Sequence, residues 1–526
     1  MNENGSFPVN PPAPRRVRTE WDATKTGDLV LAVLMAVLGV LLMDAIFFTG
    51  LNLGAGICLF LMGICTAVYL FPARRDLHVY GLFCRAVMLA LAVSFLFSDD
   101  SGLKFLSLLA IVIYGSIAPL ELLAQRRYEA GTTRSVMDLC RLIFACSFGK
   151  IGVGCMALFH KERNGSIEKR RIGAVLIGLC CAIPALMIVV PLLISSDAAF
   201  ESLVTRLRVE DMGRHIASLM FGLFLALLLF CQHFYLRIRE PVGEAGERSF
   251  RGVEPLIVGS FLGAICLVYA VYLISQGAYF FDGFRSLLPA GYTPAMYARR
   301  GFFEMCGLCV LNLTFLFLAA LLCRRTGDRL PLSIRLMLLF LCLFSLTLTA
   351  ISVSKLVLYI RSFGMTRLRI LTTGFDLVMA SLLIALALRL FVRKIPYLKI
   401  AAVTGAVVLL TLSFANVDRV VARYNARAYQ NGTLSSIDMK TMDKLSDAAV
   451  PYLVELAEDE DPQVAATARN QLRGRAVELF LIVDGRPAEP RKTDWRAWNA
   501  VTAEARRMLL KNWDRLELEN PPQKDR

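Results

Sequence analysis

The chain is built around long apolar runs, beginning with 29-LVLAVLMAVLGVLLMDAIFF-48. A bilayer core about 30 Å thick needs about twenty residues of apolar helix to cross it, so each run predicts one span. The runs predict about eleven spans, at 29–48, 51–71, 79–97, 103–124, 172–196, 215–236, 253–275, 301–323, 332–354, 368–391 and 400–416. This pattern predicts an all-α fold, a polytopic helical membrane bundle over 29–416. A small helical extramembrane region follows over 417–526, and a polar, disordered tail precedes it over 1–28.

Composition agrees: 56% of the 526 residues are hydrophobic, and the mean hydropathy is +0.56. Soluble domains are less apolar. The net charge of +15 does not point to nucleic acid, because Lys and Arg collect in short loops between apolar runs. With the N-terminus inside, the cytoplasmic segments hold Arg15, Arg16, Arg18 and Lys25, then Arg74 and Arg75. The 125–171 loop adds Arg126, Arg127, Arg134, Lys161, Arg163, Lys169, Arg170 and Arg171. Arg237, Arg239, Arg248, Arg251, Arg324, Arg325, Arg329, Arg393, Lys394 and Lys399 continue the alternation. An odd number of spans then puts the C-terminal region outside a bacterial plasma membrane.

Within the 125–171 loop, charged residues cut 135-SVMDLCRLIFACSFGKIGVGCMALFH-160 into pieces too short to span. An interfacial or re-entrant helix pair turning near Gly149-Lys150 is expected there. Beyond the last span, 417-VDRVVARYNARAYQ-430 has the period of an amphipathic helix. The stretch 437–475 reads as two helices broken at 459–462, and 494–513 as one more. These helices are expected to offer a docking surface for a protein partner.

All fourteen cysteines lie between Cys58 and Cys342, in or beside apolar runs, which is not the spacing of a disulfide framework. His78, His160, His215 and His233 lack metal-ligand spacing, and no phosphate-binding loop or hydrolase motif is present. No cofactor or metal is therefore expected, and an enzyme is not the favoured reading.

Charges inside spans are costly and mark candidate functional positions. Arg85 and Glu121, near the cytoplasmic face of neighbouring spans, are expected to form a structural ion pair. The outer side carries more basic residues than topology requires: Arg285, Arg299, Arg300, Lys355, Arg361, Arg367 and Arg369. Asp44, Glu304 and Asp376 lie at similar depth, with Asp282 in a loop. At 100° per residue, Arg300 and Glu304 are about 40° apart and Asn312 is about 80° from Glu304, forming one polar stripe. Cys306 and Cys309 are about 200° and about 140° from Glu304 and are expected to face away and pack. Arginines converging at an outward vestibule suit an anionic ligand, a lipid head group or envelope precursor. Arg299, Arg300, Arg361, Arg367 and Arg369 would hold it, with Lys355, Tyr359, Asn312 and Asp44 lining the site. Glu304 and Asp376 would orient the arginines.

Four segments carry a family resemblance: 191-PLLISSDAAFESL-203, 297-YARRGFFEMCGLCVLNL-313, 354-SKLVLYIRSFGMTRLRI-370 and 416-NVDRVVARYNARAY-429. They resemble an uncharacterised family of bacterial polytopic membrane proteins, catalogued as a domain of unknown function of the 4153/4173 type. The resemblance implies the membrane architecture and names no reaction. Three functions therefore stay open: anion recognition for transport or sensing, a scaffold or signalling protein recruiting partners through its C-terminal helices, and an envelope transferase. An inverted repeat or paired broken helices would favour transport, and neither is visible.

Overall fold

The computed structural model describes residues 26–73, 78–128, 131–132, 135–149, 151, 189, 192–193, 195–196, 212–238, 252–284, 302–324, 330–392, 394–483, 486–490 and 494–518. The first bundle helices are α1 (Thr26–Thr49), α2 (Leu53–Leu70), α3 (Val79–Ser94) and α4 (Ser101–Leu122). A short helix, α5 (Ser135–Cys140), runs into a π-helical turn at Arg141–Cys146. Then come α6 (Met212–Ile238), α7 (Pro255–Phe284), α8 (Phe302–Leu322), α9 (Leu332–Phe363), α10 (Arg367–Arg389) and α11 (Tyr397–Ala415). Nine of the described helices are long and apolar enough to cross a bilayer, and the sixteen-residue α3 packs among them. The chain is a multi-pass membrane protein. The span expected at 172–196, the second half of the 135–160 pair and the tail 1–25 lie outside the described residues.

The bundle packs as two groups. In one, α1 lies against α2 and α6, and α3 against α2 and α4; in the other, α9 is the hub for α7, α8 and α10. Helix α11 joins them, touching α10 on one side and α3 and α4 on the other. Small residues permit the closest crossing. A Cβ on Gly39 would come within 2.5 Å of the Gly222 carbonyl oxygen, so α1 and α6 meet backbone to backbone. Apolar side chains on the outside, such as Leu256, Leu267 and Ile274 of α7, are exposed as lipid contact requires.

One boundary differs from the expectation in a way that matters. The span expected to end at 354 continues as helix to Phe363, so α9 has 32 residues and is about 48 Å long, against an apolar core of about 30 Å. Lys355, Tyr359 and Arg361 therefore belong to its last turns, not to a loop. No proline interrupts 355–363, and Gly364, at φ +77°, stops the helix.

The C-terminal region starts one residue after α11. Asn416 adopts φ +54°, turns the chain, and accepts a hydrogen bond from the Arg419 amide to start α12 (Val417–Gln430). Next are α13 (Met439–Asp443), α14 (Val450–Leu456) and α15 (Pro462–Leu479), and then a hairpin of β1 (Phe480–Val483) and β2 (Arg486–Pro490). The last helix is α16 (Ala500–Lys511), preceded by a 3-10 turn at Trp495–Ala497. Val421, Leu453, Leu472, Phe480, Leu509 and Trp513 build its core, which also takes in Leu103 of α4. We call residues 417–518 the C-domain. It sits on one end of the bundle, and Arg126 and Lys399, which meet Glu121 at the far end of α4, lie at the opposite end.

Candidate functional site: a charged seam at the C-domain end

The polar residues at this end come together as a seam between bundle and C-domain. Arg367, in the first turn of α10, donates to both carboxylate oxygens of Asp418: Nε to Oδ1 at 2.8 Å and Nη2 to Oδ2 at 2.6 Å. Its Nε also lies 3.0 Å from Oδ2 of Asp100. Asp100 caps α4 by accepting from the amides of Gly102 (2.8 Å) and Leu103 (3.2 Å), and Asp418 accepts from the Ser446 amide at 2.9 Å. Both aspartates are buried. One guanidinium thus ties the α3–α4 connection, α10 and α12 together, and its planar fork suits the two-point grip on Asp418.

Beside it, the tight turn after α9 is read by Asn425 of α12. Its Oδ1 accepts from the Met365 amide at 2.6 Å and its Nδ2 donates to the Met365 carbonyl at 2.8 Å. A Cβ on Gly364 would come within 2.6 Å of Asn425 Oδ1, so glycine is needed there for space as well as for its positive φ.

The seam extends to the other packing group. Arg496 pairs with Asp494 through Nε at 2.7 Å and reaches Asp44 near the end of α1. Its side chain lies where a Cβ on Gly54 of α2 would sit. Asp44 also meets His215 Nδ1 of α6 at 3.0 Å. The Ala500 amide donates to the Leu96 carbonyl at 3.0 Å, Asn416 Nδ2 to the Phe97 carbonyl at 3.3 Å, and Asn499 Nδ2 to Asp99 at 3.3 Å. The hydrogen bond from Arg496 holds the Asp494 carboxyl below the usual carboxylate range, and the same contact raises Arg496. Burial pushes Asp99 up, only partly countered by Lys104.

The sequence-predicted set divides. Arg367 and Asp44 lie in the seam. Arg369 stacks on Tyr359, its guanidinium carbon 4.0 Å from the ring centre, and donates to the Gly364 carbonyl. Lys355 is half-buried and engaged, while Arg361 is exposed. Arg285, Arg299, Arg300 and the side chain of Glu304 lie outside the described residues.

Three expectations need correction. Asp376 does not orient the arginines; it is buried and accepts from Ser352 Oγ at 2.9 Å. The carboxylates that orient Arg367 are Asp100 and Asp418, which start α4 and α12. Secondly, Asn312 and Cys309 do not face apart. Asn312 Nδ2 donates to Ser345 Oγ at 3.0 Å, while Cys309 donates to the Ser345 carbonyl at 3.6 Å. The two are three residues apart, about 60° around the helix, so both meet α9. Thirdly, Arg85 and Glu121 do not pair. Arg85 donates to Thr66 Oγ1 at 3.0 Å and the Gly63 carbonyl at 3.4 Å of α2. Glu121 sits at the helix end, where a turn through Ala124 (φ +50°) brings Arg126 onto it; Lys399 lies 3.8 Å away. The end of α4 offers Glu121 nearer cations than the deeper Arg85.

The seam residues Asp100, Asp418, Asn425 and Arg496 escaped the sequence reading. Asp100 had a sequence cue, an acidic pair directly before an apolar run, which is a capping pattern. Asp418 and Asn425 lie in a helix treated only as amphipathic.

A family model for a domain of unknown function, DUF4153, matches residues 85–456, more than half of the chain. The chain belongs to the DUF4153 family. No curated protein and no solved structure matches it. The matched region runs from α3 into the C-domain and includes the Arg367, Asp100, Asp418 and Asn425 side of the seam. Two segments that carried the resemblance, 354–370 and 416–429, grip each other there through Met365, Arg367, Asp418 and Asn425.

Proposed function

We propose that this DUF4153 protein is a membrane-anchored scaffold or signalling protein, whose bundle holds the C-domain in fixed register as a recruiting surface for a protein partner. The observation that carries this reading is the clamp on Arg367. The cation that would face an anionic ligand instead joins three elements through two buried carboxylates. The C-domain also touches the ends of α1, α2 and α10 and the α3–α4 connection, so a shift of one helix against another is felt in it. Positive-inside counting assigns this end to the extracytoplasmic face of a bacterial plasma membrane, with the N-terminus cytoplasmic. Trp495 and Trp498, exposed on either side of the pinned Arg496, suit the head-group layer at that level.

The test is complementation of a strain lacking the chain, with residues 437–526 deleted and, separately, with Arg367→Ala. A scaffold loses function in both. Full activity of the deleted chain at wild-type membrane levels contradicts the proposal.

Arg361 favours a second reading. It is exposed on the last turn of α9 and would act with Arg299 and Arg300 on an anionic lipid head group or envelope precursor, for transport or sensing. Arg361→Ala and Arg300→Ala should then weaken binding to phosphatidylglycerol nanodiscs relative to phosphatidylcholine ones. Unchanged binding removes this reading.

A further inference from the structure

Among the described residues, one carboxyl group inside the bundle has no cation paired with it. Asp376 lies nine residues into α10, about 13 Å along the helix from Arg367, and is 3% exposed. Among the described residues its hydrogen-bond partner is the Ser352 hydroxyl of α9, at 2.9 Å. Cys306 and Cys309 of α8 lie within electrostatic reach of it. From α11 the groups packed at the level of Gly374 are Val408 and Leu412. On its own helix the nearest charge on that face is Arg369, two turns away and engaged by Tyr359 and the Gly364 carbonyl. On α9, Lys355 stands one turn beyond Ser352 and has its own interaction. Glu304 precedes Cys306 on α8, with a side chain outside the described residues.

Asp376 also opens onto a line of polar groups. Ser345, Thr349 and Ser352 recur at spacings of four and three, a single stripe on α9. Thr349 Oγ1 donates to the Ser345 carbonyl at 2.9 Å, Asn312 to Ser345 at 3.0 Å, and the Tyr269 hydroxyl of α7 to Asn312 Oδ1 at 2.7 Å. The members are neutral throughout. An ionised carboxylate held by one hydroxyl within lipid-surrounded helices is strongly disfavoured, whereas a carboxylic acid there is not. A sodium ion would need several oxygen ligands, and among the described residues the side chains beside Asp376 supply one hydroxyl and the cysteine sulfurs.

We propose that Asp376 is a membrane-embedded proton-binding site, holding its proton while α8, α9 and α10 stay packed and releasing it to water when they part. The polar stripe from Ser352 to Tyr269 is one wall of that site. This inference is independent of the scaffold reading, which rests on the seam.

Infrared difference spectroscopy on the full-length protein in nanodiscs at neutral pH tests it, comparing wild type with Asp376→Asn. The wild type should show a carbonyl band of a protonated carboxyl, shifted in deuterated water and missing from the variant. Asparagine mimics the neutral acid in shape and hydrogen bonding, so the variant should keep the wild-type melting temperature. Ser352→Ala removes one hydrogen bond and should move the band to higher frequency without abolishing it. If Asp376→Asn does not accumulate, the Ser352→Ala shift decides. An absent band, a band unmoved by Ser352→Ala, or sodium-dependent stabilisation that needs Asp376 would each overturn the proposal.

Discussion

Two polar regions of this protein handle carboxylates in opposite ways. At the C-domain end, Asp418, Asp100 and Asp44 each meet an arginine that belongs to a different element. Inside the bundle, Asp376 meets a hydroxyl. The difference follows from depth. Near the membrane surface, water and loops let long cationic side chains converge from several elements, and ion pairs join parts that are far apart in sequence. Between packed helices, an ionised carboxylate needs an equally buried partner, and short polar side chains at helical spacing serve a neutral one instead. The seam therefore fixes one domain against another, while the interior line leaves one group free to change protonation.

The largest effect that would break this contrast is at Arg367. Replacing it with alanine strands two buried aspartates and should weaken docking of the C-domain by about 3 kcal/mol. Hydrogen exchange across Val417–Gln430, which should rise sharply, checks it. Asn425→Ala leaves the Met365 amide and carbonyl without their partner and should cost about 2 kcal/mol in the same readout. Inside the bundle the corresponding change should be smaller. Asn312→Leu removes two interhelical hydrogen bonds and should cost about 0.6–1.7 kcal/mol in a bilayer unfolding assay, without altering exchange in the C-domain. An equal effect at both sites would erase the distinction.

Acid sharpens the comparison with the smallest effect. Asp494 has a depressed pKa in the folded protein, so its contribution is present above the unfolded value and is lost as pH falls through the folded one. Asp99 is raised and takes up a proton earlier, which relieves its burial cost. The Asp494–Arg496 pair within the C-domain should then persist through mild acid and loosen only below about pH 4. Exchange of the C-domain amides against pH checks this.

The architecture was readable from the sequence because a spanning helix is a local property: twenty apolar residues identify it without knowledge of its neighbours. Arg367 and Asp376 could also be singled out as unusual, because charge next to or inside a span is unusual wherever the partner lies. Their partners were not readable. Asp418 is 51 residues from Arg367, and Asp44 is 452 residues from Arg496, so no helical period links them. The separation of Asn312 from Cys309 on α8 failed for a related reason. Angular position tells which residues share a face, but the neighbour, here Ser345 of α9, decides which of them meet. The end of α9 was misplaced because hydropathy falls at Lys355 while the backbone continues as helix to Gly364.

The central claim is that Arg367 is a structural clamp and not a ligand receptor. A double-mutant cycle on Arg367→Ala and Asp418→Ala, read as the free energy of C-domain docking, tests it most directly. The clamp predicts a coupling energy of at least about 1 kcal/mol between the two positions. Additive effects, together with loss of phosphatidylglycerol binding in Arg367→Ala alone, would contradict it.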